Sequence, residues 1–229
     1  MATVQPRPMD VGDVVIVMDT TYFGKVFGVM VFRCPHRHKN LLWKFMDYET
    51  IAAYVAGVRA VQRDGWNVVG IVCDARRGLV KAFPGIPVQM CQFHQVQIVL
   101  RYITRKPKLE AGKELKDLIL LLTKTDEVSF RHWLLLWQER WKDFLAEKTV
   151  DPITQRWHFT HKRLRSAYRS LETNLPWLYT FMHQPHLSMP NTTNSIEGMF
   201  NHLKKKIAVH SGLRIDRKQK LIQELLRGK

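Results

Sequence analysis

Five consecutive large apolar residues, Val14 to Met18, open the patterned part of the chain, and a carboxylate, Asp19, follows them directly. Three of the five are valine and one is isoleucine, a composition that favours a strand covered on both faces. The predicted strand spans Asp13 to Asp19 and hands its acid to a turn over Thr20 to Gly24, where glycine allows a tight reversal. Lys25–Arg33 and Leu41–Met46 carry the next β-forming runs, with a polar turn, Cys34 to Asn40, between them. Short loops between three strands predict an antiparallel meander. Glu49–Arg63 then spaces Ile51, Tyr54, Val55, Val58 and Val61 for a helix that ends at Asp64-Gly65. Asn67–Asp74 repeats the opening device, an apolar run from Val68 to Cys73 ending in an acid. A short helix over Ala75–Phe83, stopped by Pro84-Gly85, a brief strand Val88–Met90 and a helix from Cys91 to Lys106 follow. That order predicts an α/β fold with a mixed sheet.

From Lys108 to His183 the apolar period is wholly helical. Leu115, Leu118, Ile119 and Leu122 make one stripe; Phe130, Trp133, Leu134, Trp137, Trp141, Phe144 and Leu145 make another, which reads as helix–helix packing. Two more helices are predicted over Arg156–Leu171 and Pro176–Met182, with proline suited to a first turn. A polar loop from His183 to Asn194 leads to a helix over Ser195–Lys206, and Arg214–Lys229 reads as a basic amphipathic tail helix.

Charge changes the picture. The 229 residues hold 36 Lys and Arg against 20 Asp and Glu, a formal charge of +16. With 45% hydrophobic residues the chain is globular, and such a cationic excess points to a polyanionic partner, above all nucleic acid. No apolar run reaches the ~18 residues of a membrane span, and no leader opens the chain. Three cysteines, Cys34, Cys73 and Cys91, do not make a disulfide framework and fit a reducing compartment. The first predicted strand begins so close to Met1 that an N-terminally truncated chain is expected.

Three acids carry the candidate chemistry: Asp19 and Asp74 after apolar strands, and Glu197 on a helix beyond the helical block. A carboxylate brought out of a buried strand is costly unless it is paired or meets a cation. Acids converging from two strands and a helix suit Mg²⁺, and two such ions roughly 4 Å apart serve in-line displacement at phosphorus. Each acid also has a plainer reading. Asp19 would start a turn, Asp74 would cap the helix after it, and Glu197 would close a capping box begun by Asn194. The Cys91-x-x-His94 pair could join Cys34, His36 and His38 in a zinc site, or supply a thiol nucleophile with a histidine base, though no orienting third group is apparent.

Taken together, Asp19 in MDTTYFG, Asp74 in IVCDARRGL, Cys91 and His94 in CQFHQ, and Glu197 in NTTNSIEGMFNHLKK resemble the signature of Mutator-like DDE transposases of bacterial insertion sequences. The resemblance runs from Val14 to Lys206. It implies a ribonuclease H-like core, a five-stranded mixed sheet with helices on both faces, and a helical domain inserted before the last catalytic helix. On that scheme residues 1–106 begin the core, 107–190 are the insertion, 191–210 hold the last catalytic helix and 211–229 are the tail. Asp19, Asp74 and Glu197 become the catalytic, metal-binding triad, with two Mg²⁺ ions (Mn²⁺ substituting), and Cys91 and His94 support the site or DNA. Implied partners are double-stranded DNA, as transposon ends and target, and a second copy in a synaptic homodimer; the implied location is cytoplasmic and nucleoid-associated. Arg76, Arg77, His202, Lys204, Lys205 and Lys206 flank the acids and are candidates for phosphate contact, the plainer alternative being a solvated helix face. A nuclease or resolvase using the same acids, and a non-catalytic DNA-binding protein on the same fold, are the alternatives.

Overall fold

A computed structural model describes residues 11–76 and 78–228. In chain order its elements are β1 (Asp13–Phe23), β2 (Phe27–Cys34), β3 (Lys39–Met46), α1 (Ile51–Arg63), β4 (Asn67–Cys73), β5 (Val88–Met90) and α2 (Gln92–Ile103). Then come α3 (Glu110–Leu120), α4 (Glu127–Ala146), β6 (Lys148–Val150), β7 (Trp157–Phe159), α5 (Lys162–Leu178), α6 (Thr180–His183), α7 (Asn194–Val209) and α8 (Ile215–Arg227). Contacts divide the chain into two compact units, one holding the described residues up to Cys91 and from Thr180 onward, the other Gln92–Tyr179.

The first unit is built on a five-stranded mixed sheet ordered β3-β2-β1-β4-β5. β1, β2 and β3 form the antiparallel meander, while β4 pairs parallel with β1 and β5 parallel with β4. Every residue of β2 is buried, as a strand covered on both faces requires. One face, with Ile16, Met18, Phe32 and Ile71, packs on α1 through Tyr54, Val58 and Val61. The opposite face, with Val15, Val17, Val31 and Val72, packs on α7 and α8 through Ile196, Phe200, Leu203, Ile222 and Leu226. Each aliphatic side chain so buried contributes roughly 1.5–3 kcal/mol, which makes these two layers the unit's main source of stability. α1 is started by the Thr50 hydroxyl, which accepts from the Ala53 N–H at 3.1 Å, and is followed by Gly65 at φ +93°. α8 is tied to the sheet by the Asn40 amide, which donates to the Leu226 carbonyl at 2.9 Å, while buried Arg33 donates to Asn40 Oδ1 at 2.7 Å.

The second unit is mostly helical and takes in α2, which the sequence pattern had left with the core. Trp137 is buried, donates to the Ala111 carbonyl at 3.0 Å and stacks on Tyr168; Trp141 donates to Glu114 at 2.7 Å. Trp137 and Trp141 of the predicted stripe therefore pack helices, whereas Trp133 is exposed.

Several local expectations are corrected. β1 runs on to Phe23, so Asp19 is inside a strand and starts no turn. The helix expected over Ala75–Phe83 shrinks to a single tight turn at Leu79–Lys81, because Gly78 takes φ +84° and breaks it. Trp157–Phe159 is strand, not helix, paired with β6 across a turn that Asp151 organises by accepting from the Ile153 and Thr154 N–H groups. Pro176 lies inside α5, close to its end, rather than opening a new helix. Among the described residues no helix is long and apolar enough to cross a membrane.

Candidate active site

Asp19 and Asp74 are brought level by strand register. Val17 of β1 pairs with Val72 of β4, and each aspartate lies two positions further along its strand direction. Neighbouring strands are ~4.8 Å apart, and a two-residue step keeps a side chain on the same face. Val17 and Val72 both face α7, so Asp19 is on that face, while Asp74 is the first residue past β4. β4 ends at Cys73 while β1 continues against β2, so Asp19 sits where the parallel ladder stops. It is 8% exposed and its Oδ1 accepts from the Thr20 N–H at 2.8 Å. Asp74 is half-buried, and its Oδ1 accepts from the Arg76 N–H at 3.0 Å, a turn-forming bond in place of the expected helix cap.

Glu197 is joined to the same edge through two residues. The Cys91 N–H donates to the Cys73 carbonyl at 2.8 Å, holding the end of β5 beside the end of β4. Thr193, fully buried, donates its N–H to Cys91 Sγ at 3.3 Å. Its hydroxyl lies 3.3 Å from Cys91 Sγ and 2.8 Å from Glu197 Oε1. A hydroxyl has one proton, and an ionised carboxylate only accepts, so that proton belongs to Glu197 and the thiol serves the other contact. Cys91 Sγ and a Glu197 carboxylate oxygen lie within 4.8 Å. The capping-box expectation fails: α7 opens after Thr193, and the Thr193 N–H goes to sulfur instead of to the Glu197 side chain.

Cys73 reports the clustering. Burial first, then the nearby Asp74, Cys91 and Asp19, push its thiol well above the ordinary value. Thus Asp19, Asp74, Cys91 and Glu197 share the carboxyl edge of the sheet. Among the described residues Asp19, Asp74 and Glu197 do not form a metal-ligand group with all their ligand atoms within 4.8 Å, and the Cys91 thiol is engaged by Thr193.

The other candidates are distributed differently. Arg76 carries its guanidinium to Glu49 Oε2 at 2.6 Å, and that hydrogen bond is the main cause of its raised pKa. Arg77 lies outside the described residues. His202, Lys204, Lys205 and Lys206 are exposed on α7, whose buried face is Ile196, Met199, Phe200, Leu203 and Ile207. Lys204 also lines an open groove of about 590 Å³ with Tyr22, Phe23, Phe27, Ile207 and Lys218. His94 is the third residue of α2, in the second unit, with its ring edge-on to Phe93. Among the described residues, Cys34, His36 and His38 form no metal-ligand group. Sequence reasoning missed Thr193, whose only signal was its place just before an acid-bearing helix, and Glu49, which looked like a helix start. Compared with known families and curated proteins, the chain matches no family model and no individual protein significantly.

Proposed function

We propose that the chain is the catalytic core of a Mutator-like DDE transposase with a ribonuclease H-like fold. The observation that carries the reading is Asp19 on β1 and Asp74 just past the end of the adjacent parallel strand β4, each two positions beyond the paired Val17 and Val72, with the Glu197 helix tied to the same edge. The five-stranded mixed sheet with helices on both faces supports the fold assignment. The formal charge of +16 supports a nucleic-acid substrate.

In this reading Asp19, Asp74 and Glu197 hold two divalent cations, Mg²⁺ with Mn²⁺ substituting. When bound, such a pair activates the attacking oxygen and stabilises the leaving one. Asp19 is fixed by the strand, Asp74 by its turn, and Glu197 by Thr193, which Cys91 orients in turn. Lys204 and its neighbours on the exposed face of α7 take phosphates of duplex DNA. Water cuts a phosphodiester at the element end, releasing a 3′-hydroxyl, and that hydroxyl displaces a 3′-oxygen in the target strand. No covalent bond to the protein forms at either step.

The test uses duplexes taken from DNA flanking the gene, Mg²⁺ and a plasmid target. Asp19→Asn, Asp74→Asn and Glu197→Gln are each expected to abolish cleavage while DNA binding survives. Retained cleavage in any one removes that residue from the site. Cleavage without joined products favours the nuclease reading, and binding without any turnover in the wild type favours the non-catalytic one.

A further inference from the structure

Beside the acid edge runs a hydrogen-bonded path that the triad does not include. The Tyr54 hydroxyl, on a fully buried side chain of α1, lies 2.6 Å from Glu49 Oε1 and 3.0 Å from Thr20 Oγ1. Glu49 as a carboxylate only accepts, so Tyr54 donates to it and the Thr20 hydroxyl donates to Tyr54. Burial first, and then the neighbouring Glu49 charge, push the Tyr54 phenol up, so it keeps that proton. The second oxygen of Glu49 takes the Arg76 guanidinium at 2.6 Å. At the two ends, the Arg76 N–H bonds Asp74 and the Thr20 N–H bonds Asp19. The run Asp19–Thr20–Tyr54–Glu49–Arg76–Asp74 is thereby continuous and lies entirely within the first unit.

The two aspartates differ in what holds them. Asp19 is inside an 11-residue strand paired on one side along its end, whereas Asp74 stands past the end of β4, in a loop that leads to Gly78. Carboxylates sharing ions must be held to roughly 0.5 Å, which a free loop does not do. The Glu49–Arg76 pair clamps that loop to the entry of α1, and Glu49 is only 14% exposed in its side chain.

We propose that Glu49, Tyr54 and Arg76 form a brace that fixes Asp74 relative to Asp19, with Arg76 a positioning residue rather than a phosphate contact. The inference rests on the reading of Asp19 and Asp74 as metal-binding residues. The full chain and its Glu49→Gln, Tyr54→Phe, Arg76→Gln and Arg76→Lys variants are compared in three measurements: Mn²⁺ binding by calorimetry, duplex binding against salt without metal, and thermal unfolding. Glu49→Gln and Arg76→Gln should weaken Mn²⁺ binding by ~10–100-fold, the usual cost of losing an outer partner, and leave the salt slope unchanged. Arg76→Lys, which keeps a cation for Glu49, should fall nearer the wild type. Tyr54→Phe removes one donor and no charge, so it serves even if Glu49→Gln misfolds; about two- to tenfold weaker binding is expected. A salt slope reduced by ~0.9 in Arg76→Gln with unchanged Mn²⁺ affinity would make Arg76 a phosphate contact and overturn the brace. Wild-type affinity in Glu49→Gln and Tyr54→Phe would also overturn it, leaving the triad intact. A wild type that binds no Mn²⁺ would instead overturn the triad reading, and the brace with it.

Discussion

Replacing Thr193 by valine takes one oxygen out of the acid edge and leaves its shape almost unchanged. The hydroxyl reaches Glu197 Oε1 at 2.8 Å from a fully buried position. A hydrogen bond to a charged group is worth ~1.5–3 kcal/mol, but Glu197 is half-exposed and water replaces part of the bond, so the loss falls toward ~1 kcal/mol. The methyl group recovers up to ~0.8 kcal/mol by burial. The Thr193 N–H still reaches Cys91 at 3.3 Å. The fold therefore loses no more than ~1 kcal/mol, which lowers the melting temperature by about 2–4 °C in a chain of this size.

On the proposed reading of Glu197 as a metal ligand, the effect on the site is larger than the effect on the fold, because the hydroxyl helps to aim the carboxylate. Losing an outer partner of a metal-binding group costs ~10–100-fold in metal affinity or activity. Thr193→Val is thus expected to cleave DNA ~10–100-fold more slowly at fixed Mg²⁺, and Thr193→Ser to recover most of that rate. Single-turnover cleavage on a labelled duplex measures the first quantity and differential scanning fluorimetry the second. Valine at the wild-type rate would refute the reasoning outright. A fall in melting temperature well beyond 4 °C, matched by the serine variant, would make Thr193 a support of the fold and no more.

Lys204→Ala should weaken duplex binding uniformly across sequences and lower the slope of log affinity against log salt by ~0.9, measured by fluorescence anisotropy; an unchanged slope removes it from the interface. Gly57→Ala should destabilise the protein by about 2 kcal/mol in urea unfolding: a Cβ there would overlap the ring of fully buried Phe32, and overpacking of ~1–3 kcal/mol or more exceeds the ~1 kcal/mol gained in helix propensity. The three thiols should be silent to a water-soluble disulfide reagent in the native protein at neutral pH and all react in denaturant, since Cys34, Cys73 and Cys91 are buried and burial pushes the Cys73 thiol up. A fast-reacting native thiol would contradict that packing.

The sheet was legible because its strands carry their own burial in their sequence. Val14–Met18 and Val68–Cys73 are apolar at every position, which is the pattern of strands covered on both sides, and both are so covered. The three short-looped strands became the meander for the same reason. What the pattern could not carry was turn chemistry. The hairpin of β6 and β7 depends on Asp151 accepting two main-chain N–H groups, and Gly78 breaks a predicted helix by a positive φ. The sequence marked three acids as candidates, but it did not show the contacts that hold them. Thr193, Glu49 and Tyr54 meet partners 102, 27 and 34 positions away only after the chain folds, and nothing local marks them. Tyr54 showed only as a core position on a helical stripe, which it also is.

Helix geometry links the acid edge to the cations. Glu197 and Lys204 are seven residues apart on α7, two turns, which puts them on one side of the helix ~10.5 Å apart along its axis. Lys205, about 80° further round, sits at the edge of that side, and Lys206 lies on the opposite one. DNA whose strand meets Glu197 and follows α7 therefore meets Lys204 before it meets the other two lysines. Lys204 also borders the groove containing Tyr22, and Tyr22 belongs to the same strand as Asp19. β1 and α7 both line that groove, so a polyanion lying in it would face Lys204 and Lys218. Two lysines on an otherwise largely apolar groove suit a ligand that is itself an anion, and on the proposed reading that ligand is the phosphodiester backbone.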